Sequence, residues 1–344
     1  MKRVLVVDDS EIAREALTAY IESDGDLCVV GTAGDAASAI SAVAALGPHV
    51  VTMDIQMPGE DGLAAIEQIM AHNPVPIVVV SAQARGDQTL PFEAVKRGAL
   101  EVAVKPASRA DAAALRAALR RVAGIPVVPH VRALRAARAG VDAAPRLPPS
   151  NAARIVGIAA SAGGPAALDV VLGALPANLH ACVALVQHLP PDFVAPFATY
   201  LRSRTPLEVV LLGPGEAIDA RPGHLVLAPA EHHLAAVSPH RLGAVPTPPV
   251  RGHRPSATVM FASLARFVGN RALGVILTGI GDDGAAGLAD LRARGGLTLA
   301  QDERTCAVYG MPRAAFELGA ISRVLPLPEI PAAIRQAVGV SNLR

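Results

Sequence analysis

Short runs of consecutive apolar residues alternate along the chain with alanine-rich stretches in which apolar positions recur at helical spacing. Val-Leu-Val-Val at 4–7 and Pro-Ile-Val-Val-Val at 76–80 show no polar alternation. Strands of that kind are covered on both faces, which points to a parallel sheet between helices. The pattern predicts strands over 3–7, 27–31, 50–53, 77–80 and 101–104, and helices over 11–23, 36–46, 63–71, 91–97 and 110–122. Five such βα units make a doubly wound α/β domain, commonly in strand order 2-1-3-4-5. From 124 to 150 the periodicity is lost: Pro126, Pro129, Pro145, Pro148 and Pro149 punctuate the stretch, and Arg132, Arg135, Arg138 and Arg146 face a single acid, Asp142. A stretch this long without periodicity reads as an interdomain linker. Beyond it the alternation resumes with longer loops, predicting strands over 154–158, 181–186, 207–211, 224–227, 273–277 and 297–300. Helices are predicted over 165–175, 193–204, 256–268, 285–293 and 312–318.

A length of 344 residues agrees with two domains. With 51% hydrophobic residues, 3% aromatic and no tryptophan, the cores must be built from Ala, Val, Leu and Ile. Lys and Arg total 31 against 30 Asp and Glu, so the chain lacks the positive surplus that nucleic-acid binding requires. Cys28, Cys182 and Cys306 are far apart and lack metal-binding spacing, which fits buried thiols in a reducing compartment. The first nine residues reach Asp8 and Asp9 after four apolar positions, too few for a secretory signal. The uncharged stretches 36–53 and 170–191 are each broken by proline and polar residues and read as helix–turn–strand rather than as bilayer spans. A cytoplasmic protein with no direct membrane insertion is expected.

Working residues of parallel α/β sheets lie at the carboxyl ends of strands. Asp8 and Asp9 follow the first predicted strand, Asp54 the third, Ser81 the fourth and Lys105 the fifth. Three crowded carboxylates repel unless a cation sits among them, and hard oxygen ligands with room for phosphoryl oxygen suit Mg2+. Asp54 is then placed as a carboxylate nucleophile toward a phosphoryl group, with Lys105 and Ser81 meeting the new phosphate oxygens. Capping of the first helix explains Asp8-Asp9-Ser10 alone, but not the residues at the other strand ends. The text Val-Val-Asp-Asp-Ser, Met-Asp-Ile-Gln-Met-Pro-Gly-Glu-Asp-Gly-Leu, Val-Val-Ser-Ala and Val-Lys-Pro resembles the response-regulator receiver domain, over residues 1–121. The resemblance implies Mg2+ held by Asp8, Asp9 and Asp54, phosphorylation at Asp54, and a partner histidine kinase as phosphodonor.

In the second half, Ser161 follows the strand at 154–158, His188 the strand at 181–186, and the pair Asp282-Asp283 the strand at 273–277. A serine hydroxyl becomes a useful nucleophile when an imidazole takes its proton, and the imidazole needs a carboxylate to orient it. The turn Ala-Ala-Ser-Ala-Gly-Gly is a loose nucleophile elbow, whose Ala162 and Gly163 could offer N–H groups to an oxyanion. Each residue also has a plainer role, as helix cap, loop histidine or helix-dipole partner. Gly279-Ile-Gly-Asp-Asp-Gly284 formally matches a dinucleotide fingerprint, with Asp302 downstream, yet two carboxylates there would repel a pyrophosphate. His232-His233 lacks a third metal ligand at useful spacing and reads as an ordinary loop pair.

Ala-Ser-Ala-Gly-Gly-Pro, Val-Gln-His-Leu-Pro, Arg-Pro-Ser, Leu-Thr-Gly-Ile-Gly-Asp-Asp-Gly-Ala-Ala-Gly and Ala-Val-Tyr-Gly-Met-Pro-Arg together resemble the catalytic domain of the chemotaxis protein-glutamate methylesterases. That resemblance implies a doubly wound, mostly parallel, hydrolase-type α/β domain over 153–340, after a Pro/Arg-rich linker at 122–152. It further implies Ser161 as nucleophile, His188 as base, Asp283 rather than Asp282 as orienting acid, and an oxyanion loop containing Ile280. No cofactor is expected in this domain. The implied substrate is a glutamate methyl ester, or a glutamine amide, on the cytoplasmic part of a methyl-accepting chemoreceptor. Ala162, Ile280, Asp282 and Thr258 stand where the family usually has threonine, methionine, asparagine and aspartate. A phosphorylation-dependent binding module with weak or no esterase activity is the alternative these departures raise; a dinucleotide enzyme is a minor one.

Overall fold

The computed structural model describes residues 1–57, 62–81, 89–127 and 154–339, in two compact units, Met1–Ala133 and Leu134–Arg344. Most of the expected linker at 122–152 lies outside the described residues, which omit 128–153.

The first unit is a five-stranded parallel sheet of β1 (Lys2–Val7), β2 (Leu27–Ala33), β3 (Val50–Met53), β4 (Ile77–Ser81) and β5 (Glu101–Val104) in the order β2-β1-β3-β4-β5. Helices α1 (Glu11–Glu22), α2 (Ala36–Leu46), α3 (Gly62–His72), α4 (Leu90–Lys96) and α5 (Arg109–Val122) alternate with the strands. Their starts follow local capping chemistry: the Ser10, Asp35 and Ser108 side chains accept N–H groups of the first turns of α1, α2 and α5. β3 and β4 are buried at every position, as their unbroken apolar text requires.

In the second unit β6 (Ile155–Ala160), β7 (Cys182–Gln187), β8 (Glu208–Leu211), β10 (His224–Leu227), β13 (Ala272–Ile276), β14 (Leu297–Gln301) and β15 (Arg323–Leu325) form a parallel sheet ordered β15-β14-β13-β6-β7-β10-β8. The helices are α6 (Gly164–Gly173), α7 (Val194–Arg202), α8 (Ala257–Phe267), α9 (Ala285–Ala293), α10 (Met311–Glu317) and α11 (Ile330–Ala337). The chain winds from β6 toward β7 on one side and later toward β13 on the other, so the order reverses beside β6. Such a switch point opens a crevice beyond the strand ends. Gly157 of β6 and Gly274 of β13 let α8 and α9 close onto the sheet: a Cβ on Gly157 would lie 2.8 Å from Leu264 Cδ1, and one on Gly274 would press into the Leu288 side chain.

Five elements depart from the sequence pattern. β9 (Ala217–Asp219), β11 (His233–Ser238) and β12 (Arg241–Val245) form a separate antiparallel sheet ordered β11-β12-β9, in a stretch expected to be loop. β15 and α11 were likewise unpredicted. His233 is therefore a buried strand residue, 0% exposed, and not the loop residue its neighbourhood suggested. Among the cysteines, Cys182 and Cys306 are buried but Cys28 is only partly so; burial pushes the Cys182 thiol up to about 12. Among the described residues, no helix is long and apolar enough to cross a membrane.

Candidate active site

Ser161, His188 and Asp283 lie beyond the ends of β6, β7 and β13, three strands adjacent in the sheet. Backbone pairing continues past the strands: Ser161 N–H donates to the Thr278 carbonyl at 3.0 Å, and His188 N–H to the Ala160 carbonyl at 3.1 Å. The Gln187 side-chain amide donates to the Ser161 and His188 carbonyls at 2.8 and 3.0 Å, tying the two strand ends together. α6 starts immediately after Gly163, whose φ of +71° is the left-handed region glycine adopts without strain. The turn is tight: a Cβ on Gly163 would lie 2.5 Å from Ala307 Cβ. Ala162 is buried, its carbonyl accepts from Thr278 Oγ1 at 2.9 Å, and among the described residues no acceptor pairs with its N–H. Ile280 follows Gly279, whose missing side chain gives Ser161 room, since a Cβ there would lie 2.9 Å from Ser161 Cβ.

His188 Nε2 contacts Asp283 Oδ2 at 2.9 Å, while His188 Nδ1 is buried without a partner. The structure thus joins the imidazole to the carboxylate and places Ser161 on the neighbouring strand end, with no Ser161–His188 hydrogen bond. The nitrogen left for a proton from Ser161 is Nδ1, the reverse of the usual hydrolase arrangement. Asp283 is 1% exposed. Its Oδ1 accepts from Ser256 Oγ at 2.8 Å and Thr258 N–H at 3.0 Å, and its Oδ2 from Ala257 N–H at 2.6 Å. Burial opposes the charge, but the hydrogen bond and charge of His188, the Thr258 N–H and the Ser256 hydroxyl outweigh it and hold the carboxyl well below the usual aspartate range. Asp282 faces outward and pairs with Arg251. With the glycine loop filled by Asp283 and its donors, that loop is not shaped to cradle a pyrophosphate.

Sequence reasoning missed much of the surround. Thr258, named only as a departure from the resemblance, supplies an acceptor: its Oγ1 takes the Gly284 N–H at 2.8 Å. His253 stacks flat on His188, ring centroids 4.1 Å apart at 7°. The Arg-Pro-Ser text and the helix start after it were visible, but nothing in the spacing tied them to a residue near 283.

In the first unit Asp8 is 0%, Asp54 8% and Ser81 6% exposed. Asp8, Asp9 and Asp54 each bring a carboxylate oxygen within 4.8 Å of the others. Lys105 Nζ lies 2.5 Å from Asp8 Oδ2 and 3.0 Å from Asp54 Oδ2. Burial raises the Asp8 pKa, against the lowering effect of Lys105. Burial would lower that of Lys105, but hydrogen bonds to Asp8 and Asp54 raise it on balance. Residues 58–61 and 82–88, which follow Asp54 and Ser81 closely, lie outside the described residues.

The chain matches the family of CheB methylesterases over residues 156–334 and that of response regulator receiver domains over 4–120. A protein-glutamate methylesterase/protein-glutamine glutaminase of Anaeromyxobacter dehalogenans is 44% identical, the alignment covering 97% of this chain and 96% of the relative. One from Agrobacterium fabrum is 41% identical, covering 96% and 95%. The crystal structure of the Thermotoga maritima CheB methylesterase catalytic domain superposes with a TM-score of 0.51 at 33% identity, covering 54% of this chain and 98% of that one. Both family matches in this order, and relatives that align along nearly the whole length, place the chain in the CheB methylesterase family, with a receiver domain ahead of the esterase domain.

Proposed function

We propose that this chain is a cytoplasmic, phosphorylation-controlled protein-glutamate methylesterase that removes methyl esters from chemoreceptor glutamates, and also deamidates receptor glutamines. The reading rests above all on the pairing of His188 with the buried Asp283 carboxylate, held at the strand ends beside Ser161. Ser161 Oγ attacks the ester carbonyl carbon while His188 Nδ1 accepts the hydroxyl proton. The tetrahedral oxyanion is met by N–H groups of the Ala162–Gly163 turn and of the loop at Ile280. The C–O bond to the methoxy group then breaks, and His188 returns the proton to release methanol. Water, deprotonated by the same imidazole, attacks the acyl-enzyme and yields glutamate and free Ser161. With an amide, ammonia leaves in place of methanol. Asp283 stabilises the imidazolium through both halves of the cycle.

In the receiver, Asp54 accepts the phosphoryl group from a histidine kinase. Asp8, Asp9 and Asp54, three hard oxygen donors within reach of one ion, fit Mg2+, which neutralises phosphoryl oxygens when bound. Lys105 and Ser81 then hold the phosphate. The test is methanol release from methylated receptor with and without acetyl phosphate. Turnover should depend on Ser161 and rise with phosphorylation, and Asp54→Asn should remove both the labelling and the rise. Persistent labelling of the Asp54→Asn chain would count against that residue.

A further inference from the structure

His233 opens β11, outside the three strand ends that carry Ser161, His188 and Asp283, and is completely buried. Both its ring nitrogens are engaged. The Ser256 N–H donates to Nδ1 at 3.0 Å, and Nε2 faces the Pro248 carbonyl at 3.0 Å. A nitrogen that accepts from an N–H carries its lone pair, so the proton sits on Nε2 and is donated to Pro248. One neutral imidazole therefore grips both ends of the 248–256 loop. Between the grips, Val250 and His253 exchange backbone hydrogen bonds at 3.0 and 2.9 Å, and His253 lies flat on His188. At the far grip, Ser256 and the next two residues supply three of the four hydrogen bonds to Asp283.

We propose that His233 is a positioning residue of the hydrolytic site: its Nε2–H tautomer braces the loop that sets both the carboxylate behind His188 and the ring on its face. The inference rests on the triad reading given above. Its physical basis is that His188 has few other restraints: one hydrogen bond at Nε2 and one stacked ring fix the direction of Nδ1. A loop freed at either end shifts Asp283's donors and His253 together, and misplacement by about 1 Å lowers turnover on the order of 10²-fold.

The test is steady-state methanol release from methylated receptor by the full chain, corrected for the folded fraction from thermal unfolding. His233→Asn keeps an acceptor toward Ser256, His233→Gln keeps a donor toward Pro248, and His233→Phe fills the space with neither. The expected order of kcat is wild type, then Asn and Gln, then Phe, with a total loss on the order of 10²-fold. KM should stay within about twofold, because no substrate contact is removed. Placed in an Asp283→Asn background, the Phe substitution should add little, since the two act through the same imidazole. Wild-type kcat in either the Asn or the Gln variant overturns the two-ended brace, and those two decide the matter if the Phe variant does not fold. A loss equally large with and without Asp283 also overturns it. Undiminished turnover by Ser161→Ala would instead overturn the triad reading, and this inference with it.

Discussion

At the residue scale, the two adjacent aspartates after β13 show how environment divides like side chains. Asp283 collects four donors inside the protein, whereas Asp282 meets an exposed arginine. Ser161→Ala and His188→Ala are each expected to lower kcat on the order of a millionfold, and the double variant to be little worse, because residues acting as one unit are non-additive. Asp283→Asn should be less severe, on the order of 10⁴-fold, and Asp282→Asn nearly silent; kcat for the five variants checks the order. Asp8 carries the opposite energetic sign. Its pKa is raised on folding, so the ionised form is favoured less in the folded than in the unfolded chain. That carboxylate therefore lowers stability above its folded pKa, and the penalty fades as pH falls through it. Asp8→Asn should raise the melting temperature of the receiver at pH 7 by roughly 4–8 °C per kcal/mol recovered, while weakening Mg2+ binding. An unchanged or lower melting temperature would show that the contact with Lys105 outweighs burial.

At the scale of elements, the strand-to-helix turn at Ser161 has no slack. Gly163→Ala combines a left-handed φ with a Cβ 2.5 Å from Ala307, a penalty of about 2–5 kcal/mol in all. Thermal unfolding of the second unit should shift accordingly, with turnover falling even in the folded protein. The buried parallel strands were legible because burial on both faces leaves an uninterrupted apolar signature: β3, β6, β7 and β13 are buried at every position. β9, β11 and β12 were not: β9 has three residues, and the alanine- and glycine-containing β11 and β12 lack an unbroken run of large apolar residues, in a stretch punctuated by prolines and glycines. β15 is three residues, exposed at its middle position and buried only at Leu325, too short for any period to show. At the site, residues following apolar strands could be read from order alone. His233, His253 and Ser256 could not, since their relation to His188 and Asp283 exists only after β11 and α8 pack together.

At the scale of the whole molecule, the receiver and the esterase domain each have a sheet and a core of their own, and the function requires one to control the other. The resting receiver is expected to restrain hydrolysis, and phosphorylation of Asp54 to relieve it. The fragment from residue 153 onward should then release methanol faster than the unphosphorylated full chain and be indifferent to acetyl phosphate. Equal rates for fragment and resting chain would remove the restraint and leave activation to a direct effect of the phosphorylated state. Because a domain interface within one chain is usually modest and polar, a few kcal/mol of difference between the two states is sufficient for such control.

The placement of Ser161, His188 and Asp283 on three neighbouring parallel strands also sets when activity can arise. His188 and Asp283 are 95 positions apart in the chain, and β13 pairs with β6 across all the strands and helices that lie between them in sequence. Contacts between distant segments must overcome loop closure before they are rewarded, so parallel pairing of this kind forms slowly. Helices are local and form far sooner. In refolding from denaturant, hydrolytic activity should therefore return as a late phase, well after most of the helical circular dichroism. Coincident recovery of the two signals would mean that β6, β7 and β13 come together at the start of folding, and that the hydrolytic centre is part of the nucleus rather than its last product.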